Sequence, residues 1–411
     1  MLAAVLIFAV IRPWDLPEAI AAVPAAGIVV FAHLSPWSTV AEEFTELTPT
    51  LIFLGAILVL AWTAAEEGVF TYAADLMLRY GMKSGQRLFT LTFVAASLST
   101  AFLSIDATVV LLTPIVISTA VTSNIRPRPF AYACNHLSNS ASVLLPVSNL
   151  TNLLLFAQLG ISFTTFGMIM LGPGLVIIFI EYLALSWFFS NDLHAPVMSR
   201  PARASRRPSI PVLAILASTI VGFTSSQFIH VPPAYVALAG ALGMTFYRLR
   251  RVGPGQRSTT LWSMTRAANP EFLAFVAALS IVVLPLRLGP AGSVLEHHFP
   301  AGETLLALVL ASGFAALLAN VVNNVPAALM LAPIVAHSPP LALAALIGLN
   351  VGPNLTYTGS LATLLWRRIL DSHDHPADVL VFTRLGLLTV PASLLGGTLA
   401  LWASLHLLGR I

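Results

Sequence analysis

The sequence predicts an all-helical protein that crosses a membrane many times and is built from two related halves of opposite orientation. Three observations carry that expectation. Hydrophobic residues make up 57% of the 411 positions and charged ones 9%, with a mean hydropathy of +0.87, so too little polar surface exists to coat a soluble globule. The basic residues gather in short loops between apolar runs, where orientation signals sit. Two segments inside apolar sequence, 130–159 and 320–366, are crowded with Asn, Gly, Pro, Ser and Thr. In a bilayer such irregular backbone survives only where protein or a water-filled cavity satisfies it, so these segments read as the walls of a substrate pathway.

The same features exclude other classes. A net charge of +3 arises from those short loops, and no nucleic-acid partner is expected. Cys134 is the only cysteine, which rules out an intramolecular disulfide. No P-loop, zinc-ligand spacing or nucleophile elbow is present, so an enzyme, a cofactor and a metal centre are not expected, and work must come from an ion gradient or an outside subunit. His297 and His298 beside Glu296 read as a solvated loop. Pairing Asp106 with Glu66 would be the one route to an intramembrane aspartyl hydrolase.

In chain order, the apolar run 2–11 has its charge, Arg12, after it and is followed by further spans, so it reads as an uncleaved first helix that is tilted or partly interfacial. A second span covers 16–34 and leads to an acidic loop with Glu42, Glu43 and Glu46. A third starts near Pro49, carries Glu66 and Glu67, and ends in a basic loop with Arg79, Lys83 and Arg87. The change of sign places the acidic loop outside and the basic loop in the cytoplasm. Two apolar arms within 88–120 then meet at Ser104, Ile105 and Asp106, with basic residues at both outer ends, so they form a re-entrant hairpin whose tip lies near mid-membrane. The segment 130–159 breaks at NSASVLLPVSNLTN, the pattern of a discontinuous helix. A span over 163–189 returns to a cytoplasmic linker, 191–209, holding Arg200, Arg203, Arg206 and Arg207.

The second half, 210–411, follows the first, 1–190. Spans at 211–228, 232–247 and 272–286 lead to an outer loop. A second hairpin, 305–336, enters from that face, a second broken helix covers 341–366, and 385–405 is the final span. This gives about ten spans, two hairpins and two discontinuous helices. LLTPIV in the first hairpin matches MLAPIV in the second, and SNLTNLL matches GSLATLL, an alignment that also pairs Asn139 with Asn350. Loop charges set the hairpins on opposite faces, so the repeat is inverted, and a binding site is expected where the halves meet near the midplane.

Within this frame Asp106 is the expected proton-coupling residue. An ionised carboxylate at membrane depth costs ~2.5–3.5 kcal/mol on insertion scales, so a group there can take up and release a proton during a cycle. The alternative is a permanently charged cap on the hairpin's second arm. Glu66 and Glu67 are further proton candidates, unless they sit in interfacial water. Glu181 reads as paired within the scaffold, with a role in transport as the alternative, and His136 as a structural histidine, with a proton relay as the alternative. Ser104, Ser148, Asn149, Asn152, Asn320, Asn323, Asn324, Asn354, Thr356, Ser360 and Thr363 offer an uncharged set of donors and acceptors for a substrate, or satisfy broken backbone. Asn149 and Asn324 are the strongest of these.

NNVPAALMLAPIV and NVGPNLTYTGSLATLLWRRIL resemble arsenite efflux permeases of the ArsB type, within the ion-transporter superfamily that also holds sodium/dicarboxylate symporters and sodium/proton antiporters. AWTAAEEGVF, IDATVVLLTPIV and SNLTNLL extend the resemblance into the first half. It implies the superfamily's inverted-repeat fold, a scaffold domain, a transport domain moving like an elevator, and a homodimer. It also implies export of arsenite and antimonite in exchange for protons through the cytoplasmic membrane, with a cytoplasmic arsenite-stimulated ATPase as a possible partner. Arsenous acid is uncharged at neutral pH and presents three hydroxyls, which suits amides and hydroxyls. The symporters carry Ser-Asn-Thr at each tip, where this chain has Ser104-Ile105-Asp106 and Asn323-Asn324-Val325. The permeases carry Asn-Asp at the first tip, of which Asp106 is kept, and often an acid at the position of Asn139. A sodium-coupled anion symporter and a sodium/proton antiporter are the alternatives within the superfamily.

Overall fold

The structure, a computed structural model, describes residues 1–81, 84–194, 208–229 and 231–409. Arg200, Arg203, Arg206 and Arg207 of the expected linker, and Lys83, lie outside the described residues. Among the described residues every regular element is helical. The chain runs α1 (Leu2–Ile11), α2 (Ala19–Phe31), α3 (Trp37–Glu66), α4 (Val69–Gly81), α5 (Gly85–Phe102), α6 (Thr113–Thr122), α7 (Arg128–Ser140), α8 (Leu150–Leu159), α9 (Phe163–Phe188) and α10 (Ser190–Leu193). It continues with α11 (Ile210–Ile229), α12 (Pro233–Arg251), α13 (Arg257–Ala267), α14 (Pro270–Leu288), α15 (Pro290–His298), α16 (Leu305–Val322), α17 (Asn324–Val335), α18 (Pro339–Val351), α19 (Leu361–Ser372) and α20 (Val379–Leu407). Five helical runs are long and apolar enough to cross a bilayer: α3, α9, the stretch Pro254–Leu288, α16 and α20.

The helices pack in two groups. In one, α3 lies against α12 and α14, α2 against α14, and α11 against α12. In the other, α9 lies along α20, α16 along α18, and α5 along α7. The groups meet where α3 touches α8 and the segment Ala107–Leu112, and where α14 touches α17. In hydrocarbon, burial of apolar surface no longer drives helix association, so close backbone approach through small residues takes its place. The α16–α18 pair illustrates it. Ala311, Ser312, Ala315, Ala316 and Ala319 of α16 are buried, and a Cβ on Gly348 of α18 would stand 2.1 Å from the Ser312 carbonyl oxygen. Large side chains close the other end of the second group. Trp366 is fully buried, packs edge-on to Tyr132 at 5.0 Å, and donates its indole N–H to the Ala131 carbonyl at 2.9 Å, which joins α19 to α7.

Several expected boundaries shift. The acidic loop is helix: α3 begins at Trp37, Pro49 lies inside it, and Glu43 pairs with Arg287 at 2.7 Å. Good helix formers around Glu42 to Leu47 carry the helix through, with Thr45 and Thr48 bonding back to the Ala41 and Phe44 carbonyls. The expected span 16–34 holds only the thirteen-residue α2, about 20 Å long, which is short of a ~30 Å hydrocarbon core. The basic loop after Glu67 contains the unexpected α4, which places Arg79 on a helix. The outer loop with the histidines contains α15, and part of the loop before 272 is α13.

Candidate functional site

Both hairpins turn where the sequence placed their tips, and each tip holds a non-glycine residue at positive φ. Ser104 has φ 142° and Asn323 has φ 72°. Such conformations cost ~1–3 kcal/mol each and persist only where surroundings hold them. At the second tip the Asn323 amide donates to the Thr358 carbonyl at 3.0 Å and its oxygen caps the Val325 N–H, while the Asn324 N–H donates to the Gly359 carbonyl at 3.0 Å. At the first tip the Ser104 hydroxyl accepts from the Ala107 N–H at 3.3 Å, and Ala107–Leu112 forms a π-helical stretch, a local distortion frequent at functional sites.

The breaks in the discontinuous helices are built from capping residues. Leu145 and Asn149 are extended, and Asn149 caps α8 through the Thr151 N–H. In the second break Thr356 and Ser360 are extended, and Ser360 caps α19 through the Ala362 N–H. Short polar side chains that mimic a helical carbonyl both stop one half-helix and start the next.

These two tips and two breaks converge. A cavity of about 310 Å³ is lined by Ser104–Ala107, Val147–Leu150, Asn324 and Val325, and Ser360–Ala362, with Phe53, Ile57 and Trp62 of α3 on the opposite wall. Four helix N-termini therefore face one space: those of α8, α17, α19 and the second arm of the first hairpin. Each contributes the positive end of a helix dipole. The polar lining at this end is buried, and the cavity continues past Arg12, Glu18 and Arg368 to exposed Arg266, Asn269 and Glu271. Asp106 supplies the only carboxylate among the tip and break residues of the lining. Its side chain makes no capping bond and no ion pair, so of the two sequence readings the capping one is not realised here.

Behind the lining lies a layer of amides. Asn350, fully buried on α18, accepts from the Asn149 amide and from the Thr151 hydroxyl at 2.8 Å, and donates to Asn152 at 2.6 Å. Asn152 in turn donates to the Ser142 and Leu145 carbonyls at 2.6 and 2.9 Å. Asn139 of α7 donates to Asn354 at 2.9 Å and to Thr363 at 3.3 Å. The two sets correspond under the sequence alignment of the halves, in which Asn139 matches Asn350 and Thr363 matches Asn152. The first half of each broken helix thus bonds to the second half of the other.

Of the residues expected at the site, Ser104, Asp106, Ser148, Asn149, Asn324 and Ser360 line the cavity. The remaining expected ligands do not. Asn152, Asn354 and Thr363 belong to the amide layer; Asn323 holds its tip; Asn320 bonds the Ala316 and Gly352 carbonyls and accepts from Thr356 at 2.6 Å. They satisfy backbone freed by the breaks. Glu66 and Glu67 are also elsewhere, at the end of α3, where they pair with Arg248 at 2.8 Å and Arg251 at 3.1 Å of α12. Helix α3 ends at Glu66, which carries both acids out of the cavity. With Glu66 absent from the lining, no aspartyl pair forms with Asp106. Sequence reasoning missed Arg12, Arg266 and Arg368 as cavity residues, having read the basic side chains as orientation signals only, and it gave Asn350 no contact.

Comparison with known proteins adds to this geometry. The family model described as citrate transporter (CitMHS) matches residues 4–357. An arsenical pump membrane protein of Escherichia coli is 27% identical over 369 residues, covering 85% of this chain and 83% of that one. A 46 kDa membrane protein of Mycobacterium leprae is 25% identical, covering 86% and 85%. A putative arsenical pump membrane protein of Bacillus subtilis is 23% identical, covering 95% of each. Among solved structures, the YdaH transporter of Alcanivorax borkumensis superposes with a TM-score of 0.60 over 91% of this chain and 88% of its own, at 14% identity, a likeness of fold.

Proposed function

We propose that this chain, which belongs to the citrate transporter (CitMHS) family and is a multi-pass membrane transporter, exports arsenite, and antimonite with it, through the cytoplasmic membrane in exchange for protons. The observation that carries this reading is the cavity: uncharged donors and acceptors from four helix ends surround one carboxylate that has no partner. Arsenous acid offers hydroxyls that can both donate and accept, and it needs no countercharge. Asp106 is then free to hold a proton in one half of the cycle and release it in the other. Export requires that substrate and proton do not leave the same side together, and a single site visited by each in turn meets that demand.

The reciprocal bonds between the broken helices, and the pairing of α8 with α17 and of α19 with the first hairpin, support an inverted repeat with its axis through the cavity. The cavity at the seam between the two helical groups supports movement of the hairpin group against the other in an elevator fashion. If the arginine-bearing end faces the cytoplasm, as the loop charges predict, the cavity described here is the inward-open state. A homodimer and a cytoplasmic ATPase partner remain proposals carried by the resemblance alone.

A second reading is favoured by Arg12, Arg266 and Arg368 at the cavity and by the family's description. Guanidinium groups and helix N-termini would suit a carboxylate anion such as citrate. Asp106, placed among those N-termini, opposes it by like charge. In cells lacking arsenite efflux of their own, expression should lower arsenite accumulation several-fold and leave citrate uptake unchanged. Citrate accumulation with arsenite unaffected would select the second reading.

A further inference from the structure

The most deeply buried charged group among the described residues is not in the cavity. Glu181 of α9 and His136 of α7 both have 0% side-chain exposure, and the His136 Nδ1 lies 2.9 Å from Glu181 Oε2. The other carboxylate oxygen accepts from the Ser140 hydroxyl at 2.8 Å and from the Asn354 amide at 3.3 Å. The His136 Nε2 is buried with no hydrogen-bond partner. The Ser140 and Asn354 donors thus both serve one Glu181 oxygen, and the other shares a proton with His136 Nδ1. A lone buried negative charge is costly, and an imidazolium beside it removes the net charge.

We propose that His136 and Glu181 form a second proton-binding site, whose occupancy is passed through Asn354 to the break of the second discontinuous helix and from there to the hairpin tip. The exchangeable proton is the one on His136 Nε2. With it the pair is a neutral imidazolium–carboxylate; without it the pair carries one negative charge that the Nδ1–H, Ser140 and Asn354 stabilise. Asn354 is the residue through which either state is felt. It also donates to the His136 carbonyl at 3.1 Å and accepts from Asn139, and it lies in Gly352–Leu355, just before the break. Residues 358 and 359 of that break hold Asn323 and Asn324 at the tip. In this arrangement the pair is sealed, so a proton can enter or leave only when the break moves. A group whose proton affinity differs between a sealed and an open state shifts the balance between them by linkage.

Among the described residues no third charged side chain forms an ion pair with His136 or Glu181; Arg367 of α19, the helix that packs on α7, lies over the Tyr357 ring. On α7 the nearest titratable groups are Tyr132, bound to Asp378, and buried Cys134. Tyr182, next to Glu181 on α9, faces Thr90 and Gln86 of α5. From α20 the pair meets Phe382, whose ring stands 6.0 Å from that of His136, while Arg384 is exposed. Tyr357 of the break packs against Phe382 with its ring tilted by 41°, and α18 and the segment Ala141–Leu144 bring no charged side chain.

This inference goes beyond the substrate reading and can be tested without any substrate. Amide hydrogen exchange across residues 350–361 would be followed in the purified wild type at about pH 6 and about pH 8, corrected for intrinsic rates. Protection should change by at least about tenfold, against a ceiling of about a hundredfold for one linked proton over those two pH units. Glu181→Gln and His136→Gln, each made in the Asp106→Asn background so that the cavity carboxylate contributes nothing, should abolish the change, and Asp106→Asn alone should retain the part that the pair supplies. A wild type whose protection does not vary with pH overturns the proposal, as does a pH response that survives when either pair variant is combined with Asp106→Asn, or one that Asp106→Asn alone removes entirely.

Discussion

At the residue scale the account turns on four side chains. Asp106 faces the cavity without a partner, so Asp106→Asn should fold and bind substrate but lose dependence on the proton gradient. Glu66 and Glu67 sit in exposed pairs that contribute only ~0–1 kcal/mol each. Glu66→Gln and Glu67→Gln should therefore leave coupling intact, and a loss of gradient dependence in either, measured in vesicles, would return these acids to the mechanism. Asn350 receives two donors and gives one, so Asn350→Ala strands buried polar groups at a cost of ~1–3 kcal/mol apiece. Its melting temperature in detergent should fall by several degrees. Asp106 was legible because a lone acid inside apolar sequence is expensive and needs a purpose. Asn350 was legible only as a repeat position, since its contacts come from a helix two hundred residues away. The arginines of the cavity were hidden because orientation already explained them.

At the scale of elements, the hairpin tips and helix breaks were readable from Asn, Ser, Gly and Pro within apolar runs, because those residues cap and terminate helices wherever they stand. The start of α3 was not, because Pro49 can lie within a helix that neighbouring residues propagate on both sides. Nor was α4, since a polar amphipathic run after a charged turn reads equally as loop. The α16–α18 contact yields a paired prediction. Gly348→Ala would place a methyl against the Ser312 carbonyl and the Ala316 backbone, so the backbones must part and the folded yield should drop sharply. Gly313 on the same α16 has open space where a Cβ would go, and Gly313→Ala should be neutral or stabilise by ~0.5–1 kcal/mol. Size-exclusion profiles of the two variants, expressed side by side, decide it. Equal yields would mean that small-residue packing does not set this interface.

At the scale of the molecule, two groups of helices meet across a cavity whose polar end is made from the interrupted elements of both halves. Composition announced the membrane, and the matched hairpin tails are the sequence signal behind the proposed repeat. What sequence alone left open was which polar residues face the cavity and which tie the breaks together, because both tasks use the same amides. The structure separates them: Asn149, Asn324, Ser360 and Asp106 face the space, and Asn139, Asn152, Asn350 and Asn354 hold it open. The measurement that tests the central claim most directly is arsenite flux into proteoliposomes containing this protein alone, under an imposed pH gradient, for the wild type and Asp106→Asn. The account predicts flux that follows the proton gradient in the wild type and flux indifferent to it in the variant. Arsenite that stays put while citrate or a sodium-driven dicarboxylate moves, or a variant that still follows the gradient, would contradict it.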